Sequence, residues 1–120
     1  MAAITKRVLS GSVDGLAIAV SSTSGGVITA HTGPSSSSII DEVWLYATNE
    51  LTTTISLVVE WGASSSLTAI YQDIVPREGP QLVAPGLVIQ GNATPKVISV
   101  WGTVKDQLVI HGYVNRLDQS

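Results

Sequence analysis

Apolar and polar positions alternate with a period of two along most of this chain, and no stretch sustains the longer period of an amphipathic helix. Leu16 to Val20 is a short apolar run that follows a turn at Asp14-Gly15, and Val27 to His31 follows a Ser/Thr/Gly loop. Ile39 to Thr48 reads as the first long strand, with Val43, Leu45 and Ala47 on one side and Glu42, Trp44 and Tyr46 on the other. Thr54 to Trp61 and Leu67 to Val75 come next, the second stopped by Pro76. Pro80 to Pro85 and Leu87 to Gln90 are bracketed by Pro and Gly, which predicts short edge or corner strands. Val97 to Val104 and Gln107 to Leu117 predict a hairpin about Lys105-Asp106.

About eight or nine short strands at roughly 10-residue spacing predict an all-β, single-domain antiparallel β-sandwich. Strand number and loop lengths favour a jelly-roll-like topology, while an immunoglobulin-like sandwich shares the same periodicity. Residues 1–14 form an N-terminal arm in this reading, and residues 15–120 form the sandwich. The serine clusters fall between strands, as solvated loops. Leu57 to Gly62 echoes Val97 to Gly102, both being apolar strands that end in Trp-Gly, as equivalent strands of two halves would.

The last two strands are apolar on both faces, which a simple two-sheet sandwich does not cover. Either the N-terminal arm or a neighbouring subunit must lie over them. Val97, Trp101, Val109, His111 and Tyr113 are the expected subunit interface. Composition points the same way. Only 12% of the residues are charged, about half the usual share, so Ser, Thr and Gly occupy surface that Lys and Glu normally take. Six basic residues and a net charge of −3 leave no electrostatic footprint for nucleic acid.

Cysteine is absent, which removes disulfides and thiolate chemistry and favours synthesis in a reducing compartment. The residues after Lys6-Arg7 lack the apolar core of a signal peptide, and no apolar run reaches transmembrane length. No phosphate-binding glycine loop or nucleophile elbow occurs, and no cofactor is implied. His111 with Asp73 and a serine makes a triad only formally, and His31 and His111 lack metal-ligand spacing. Asp41 and Glu42 are adjacent and so point to opposite faces of a strand, while Glu60 and Asp73 become neighbours only if their strands pair in that register. No enzymatic activity is expected. Trp44 and Tyr46 either form a contact platform for a partner or fill the core, according to which face of their strand turns inward.

The segments Asp41-Glu42-Val43-Trp44-Leu45-Tyr46-Ala47-Thr48-Asn49, Val58 to Gly62, Leu82 to Leu87 and His111 to Arg116 resemble those of small virion proteins of tailed bacteriophages, over about Ile39 to Leu117. The resemblance implies a capsid decoration (cement) protein. Such a protein is made in the host bacterial cytoplasm and bound to the outer capsid surface of the virion. Its implied partners are the major capsid protein and its own copies, as a homotrimer, without nucleic acid or membrane. Lys6 and Arg7 would then reach onto an acidic capsid surface. The other reading is a head-surface or tail recognition module that binds host glycan through Trp44 and Tyr46.

Overall fold

The computed structural model of the chain describes residues 3–63 and 66–119. Ser64 and Ser65 of one serine cluster, and Met1 and Ala2 of the arm, lie outside the described residues. Alternation drives the architecture, as two antiparallel sheets pack their apolar sides together. The strands in chain order are β1 (Ala3–Val8), β2 (Ile18–Ala19), β3 (Ile28–Thr32), β4 (Ile39–Asn49), β5 (Ile55–Trp61), β6 (Ala69–Ile74), β7 (Gln81–Gln90), β8 (Val97–Gly102) and β9 (Leu108–Asp118). A 3-10 turn, Ser66–Thr68, precedes β6.

Sheet A runs β1-β9-β4-β7, with β2 continuing along the β1 edge of β9, and sheet B runs β3-β8-β5-β6. The pairs β2–β9, β3–β8, β4–β7 and β5–β6 are nested one inside the next, as in a long hairpin wrapped around a barrel. That order is a jelly roll, so the favoured topology is the one adopted.

The core is the inward row of every central strand. Val43, Leu45 and Ala47 of β4, Ile55, Leu57 and Val59 of β5, and Ile110 and Val114 of β9 are all 0% exposed. Their β-branched and leucine side chains suit a pleated surface covered on one side. Glu42, Trp44 and Tyr46 therefore face outward, which decides between the two readings of that strand.

Two expectations are corrected. Val97 to Val104 and Gln107 to Leu117 do not form a hairpin, because β8 lies in sheet B and β9 in sheet A. Asp106, at φ 64°, does turn the chain, but the turn crosses the end of the sandwich, with Thr103 N–H donating to Ser56 O and Asp106 N–H to Val20 O. Each strand already has both edges paired, β8 by β3 and β5, β9 by β4 and the β1/β2 edge. The second correction concerns Pro80 to Gln90, which is one edge strand, β7, and not two. Register shifts opposite Val43/Trp44 and Leu45/Tyr46 accommodate Pro85 and the positive-φ Gly86.

The Trp-Gly echo also acquires a different meaning. β5 and β8 are antiparallel neighbours in one sheet, Leu57 opposite Gly102 and Trp61 opposite Ile98, and so do not belong to two halves. Trp61 packs against the core, whereas Trp101 alternates with buried Val100 and sits on the outer side. Within the expected N-terminal arm, β1 pairs with β9 over Ala3↔Asp118 to Val8↔Tyr113, and Leu9 behind it is buried.

Candidate functional site

β4 supplies two polar centres, one on each of its faces. On the inward side, Asp41 is fully buried near the end of the sandwich. Arg116 of β9 grips it with Nε donating to Oδ1 at 2.8 Å and Nη2 to Oδ2 at 3.0 Å. His31 of β3 approaches Oδ2 through Nε2 at 2.7 Å. The Ser10 backbone N–H donates to His31 Nδ1 at 3.1 Å, so Nδ1 is the acceptor and the ring proton sits on Nε2, facing the carboxylate.

Burial pushes the His31 pKa below its ordinary 6.5, against the opposing pull of Asp41. Burial alone would raise Asp41. The hydrogen bonds from Arg116 and His31 outweigh it and leave the carboxylate below its usual range, with Arg116 raised in return. This is a closed clamp. It joins β3, β4, β9 and the segment behind β1 through side chains whose polar atoms already have partners.

The outward side of sheet A is open and organised in rows across the strands. One row is Ile4, Leu117, Ile40 and Gln90 in register, and the next is Lys6, Asn115, Glu42 and Val88. A third holds Val8, Tyr113, Trp44 and Pro85, and a fourth places His111 beside Tyr46 and Leu82. The Trp44 and Tyr113 rings lie parallel, 9° apart in plane with centroids 6.1 Å apart, and Lys6 Nζ stands 4.7 Å over the Tyr113 ring. The indole edge lies across Gly86, where a Cβ would come within 2.9 Å of it.

Glu42 Oε1 accepts from Trp44 Nε1 at 2.7 Å and from Asn115 Nδ2 at 3.0 Å. These two donors hold the Glu42 pKa below its ordinary value, so the carboxylate is charged at neutral pH. Beside it, Ile4, Ile40, Val88 and Leu117 line a shallow apolar hollow of ≈ 340 Å³. Ile4 is 73% exposed and Val88 55%, which leaves aliphatic side chains of adjacent rows open to water on one face.

The residues expected to form one subunit interface are divided. Val109, His111 and Tyr113 lie on the outer face of sheet A, whereas Val97 and Trp101 lie on the outer face of sheet B. Trp44 and Tyr46 share the sheet A face with the first group. Lys6 joins it too, but Arg7 alternates to the other side of β1, so the two cations do not form one basic patch. Asp73 and His111 occupy different sheets, and Asp73 accepts from Ser56 Oγ at 2.7 Å. Glu60 and Asp73 are on paired strands but out of register, Glu60 opposite Ala69 and Asp73 opposite Ser56, so they do not face each other. Glu60 instead accepts from Gly26 N–H and Ser99 Oγ.

Two groups escaped the sequence reading. The clamp joins residues 10 and 75 positions apart, a separation that carries no local signal. The apolar row Ile4–Leu117–Ile40 could be found only by knowing that β1 and β4 flank β9. Among the described residues, no three His, Cys, Asp or Glu are grouped to hold a metal ion, and no helix is long and apolar enough to cross a membrane. No protein-family model matches the chain, and neither a curated protein nor a solved structure is significantly similar to it.

Proposed function

We propose that this chain is a structural virion protein that decorates a bacteriophage capsid from its outer surface and stabilises it by bridging major capsid subunits. The observation that carries the reading is the outer face of sheet A, an aromatic and aliphatic platform on a chain with few charges elsewhere. Such a face favours contact with protein over exposure to water. The resemblance of Ile39 to Leu117 to small phage virion proteins supplies the virion, and jelly rolls recur in viral coats. The mechanism is mass action: each copy bound across neighbouring capsid subunits adds its binding free energy to the assembled state and none to the dissociated one. The chain is made in the bacterial cytoplasm and joins the shell as a homo-oligomer. No catalytic step and no cofactor belong to this reading.

The test is copy number and position in purified virions by cryo-electron microscopy, together with heat resistance of particles lacking the protein. Many symmetric copies and a lowered disruption temperature are expected. A few copies at the tail, or unchanged heat resistance, would sink the reading. The parallel Trp44–Tyr113 pair beside the Glu42 carboxylate and Asn115 amide favours a second reading, a glycan-binding module. That reading requires saccharide binding that Trp44→Ala abolishes with the fold intact.

A further inference from the structure

We infer that the outer face of sheet A is a self-complementary interface on which a second copy of this chain packs, sheet against sheet, about a two-fold axis. A sheet face four strands wide with exposed apolar rows is complemented by another sheet face of the same kind. The outer side of sheet B does not qualify, because Ser56, Glu60, Asp73 and Ser99 interrupt it. The surface that matches on a second copy is therefore the same face, which makes the contact isologous.

Charge placement fixes the axis. Lys6, Asn115 and Glu42 stand in one row on three consecutive strands, the cation and the anion equidistant from β9. An axis lying in the interface parallel to β9 brings Lys6 of each copy over Glu42 of the other and sets the two Asn115 side chains against one another. The same operation puts Ile4 over Ile40 and Val8 over Trp44. An axis along the rows would instead oppose Lys6 to Lys6, and is disfavoured.

The overlap covers β1, β9 and β4. These strands have 6, 11 and 11 residues, and at about 4.8 Å between strands and about 3.3 Å per residue they give a footprint of roughly 440 Å² per copy. Roughly 900 Å² in total lies just under the usual size of a stable specific interface, so the dimer is expected to be weak, dissociating at about 10–100 μM. The dimer uses the face that the proposed function gives to capsid protein, so it is the form of the free chain and opens when that face meets a capsid subunit. It stands apart from the three-fold oligomer that the resemblance implies and does not depend on the virion reading.

The experiment is sedimentation of the purified full chain from about 5 to about 500 μM. A concentration-dependent species of twice the 12.5 kDa chain mass is expected. Ile4→Glu with Val8→Glu, both at exposed positions of β1 inside the overlap, should weaken it about 100-fold or more while the melting curve of the monomer is retained. Lys6→Glu places like charges together twice per dimer and should weaken it at least about 10-fold, more than Lys6→Gln does. Adding Glu42→Gln, which keeps an acceptor for Trp44 and Asn115, should recover most of the Lys6→Glu loss. A monomer throughout, a trimer, or a dimer unmoved by Ile4→Glu with Val8→Glu would overturn the inference. So would a Lys6→Glu loss that Glu42→Gln leaves unchanged.

Discussion

Replacing Arg116 by methionine tests whether the buried clamp is a stability determinant. Asp41 is 0% exposed, and its Oδ1 receives its hydrogen bond from Arg116 Nε. Methionine keeps much of the side-chain volume and removes both guanidinium donors. The carboxylate is then left buried with His31 as its one side-chain donor. Breaking a buried ion pair by deleting one partner costs about 3–5 kcal/mol, because the remaining charge is desolvated without compensation. At about 4 °C per kcal/mol for a domain of this size, Arg116→Met should melt about 12–20 °C lower at pH of about 7.5. The assay is reversible thermal unfolding followed by near-ultraviolet circular dichroism of the three tryptophans, with urea unfolding as a check.

A pH signature separates the clamp from mere lost packing. Without Arg116 the Asp41 pKa rises, so the deficit should shrink as pH is lowered and the carboxylate becomes neutral. Asp41→Asn in the Arg116→Met background should likewise recover at least about half of the loss, since it removes the uncompensated charge. A melting temperature within about 4 °C of the parent, or a deficit independent of pH, would refute the reasoning.

Two further outcomes follow from the same structure. Burial lowers the His31 pKa, so its stabilising contribution is complete above its ordinary 6.5 and is lost as pH falls below that value, while the Asp41 contribution is lost below about 3.8. His31→Gln should flatten the fall in melting temperature between pH of about 7 and about 5, and an unchanged slope over that interval would exclude His31 as its source. Gly112 sits where β9 crosses β4, and an added Cβ would lie 2.0 Å from the Trp44 carbonyl oxygen. Gly112→Ala should therefore cost about 3 kcal/mol or more, read as lost soluble yield or a melt lowered by at least about 12 °C; a near-parental melt would mean the β4–β9 pair yields easily.

Strand periodicity was legible because one-sided burial imposes it. Val43, Leu45 and Ala47 alternate with Glu42, Trp44 and Tyr46 as a half-covered strand must, and strand number and spacing favoured a jelly roll without separating it from an immunoglobulin-like sandwich. What periodicity reports is which side of a strand is apolar, and it is silent on which strand lies alongside. β8 and β9 therefore looked like a hairpin around Lys105-Asp106, although that turn passes from one sheet to the other. Their outward apolar residues seemed to form one surface for the same reason. Val97 and Trp101 face away on sheet B, and Val109 and Tyr113 on sheet A. The His31–Asp41–Arg116 clamp stayed hidden because a buried polar group is recognised by its partners, and these are brought together only by the completed fold.

The nesting of strand pairs also constrains how the chain is made. β9 holds β4 on one side and β1 and β2 on the other, yet it is synthesised after all of them. Until Leu108–Asp118 has left the ribosome, sheet A lacks its central strand, and β1 has no partner for its backbone. The β5–β6 pair closes the shortest loop and needs nothing downstream, so it is the natural place for order to begin, with β8 and then β9 added from outside. Ribosome-bound chains that end before Leu108 should therefore expose β1 to protease, and chains in which β9 has fully emerged should protect it. Protection of β1 before β9 emerges would contradict this order.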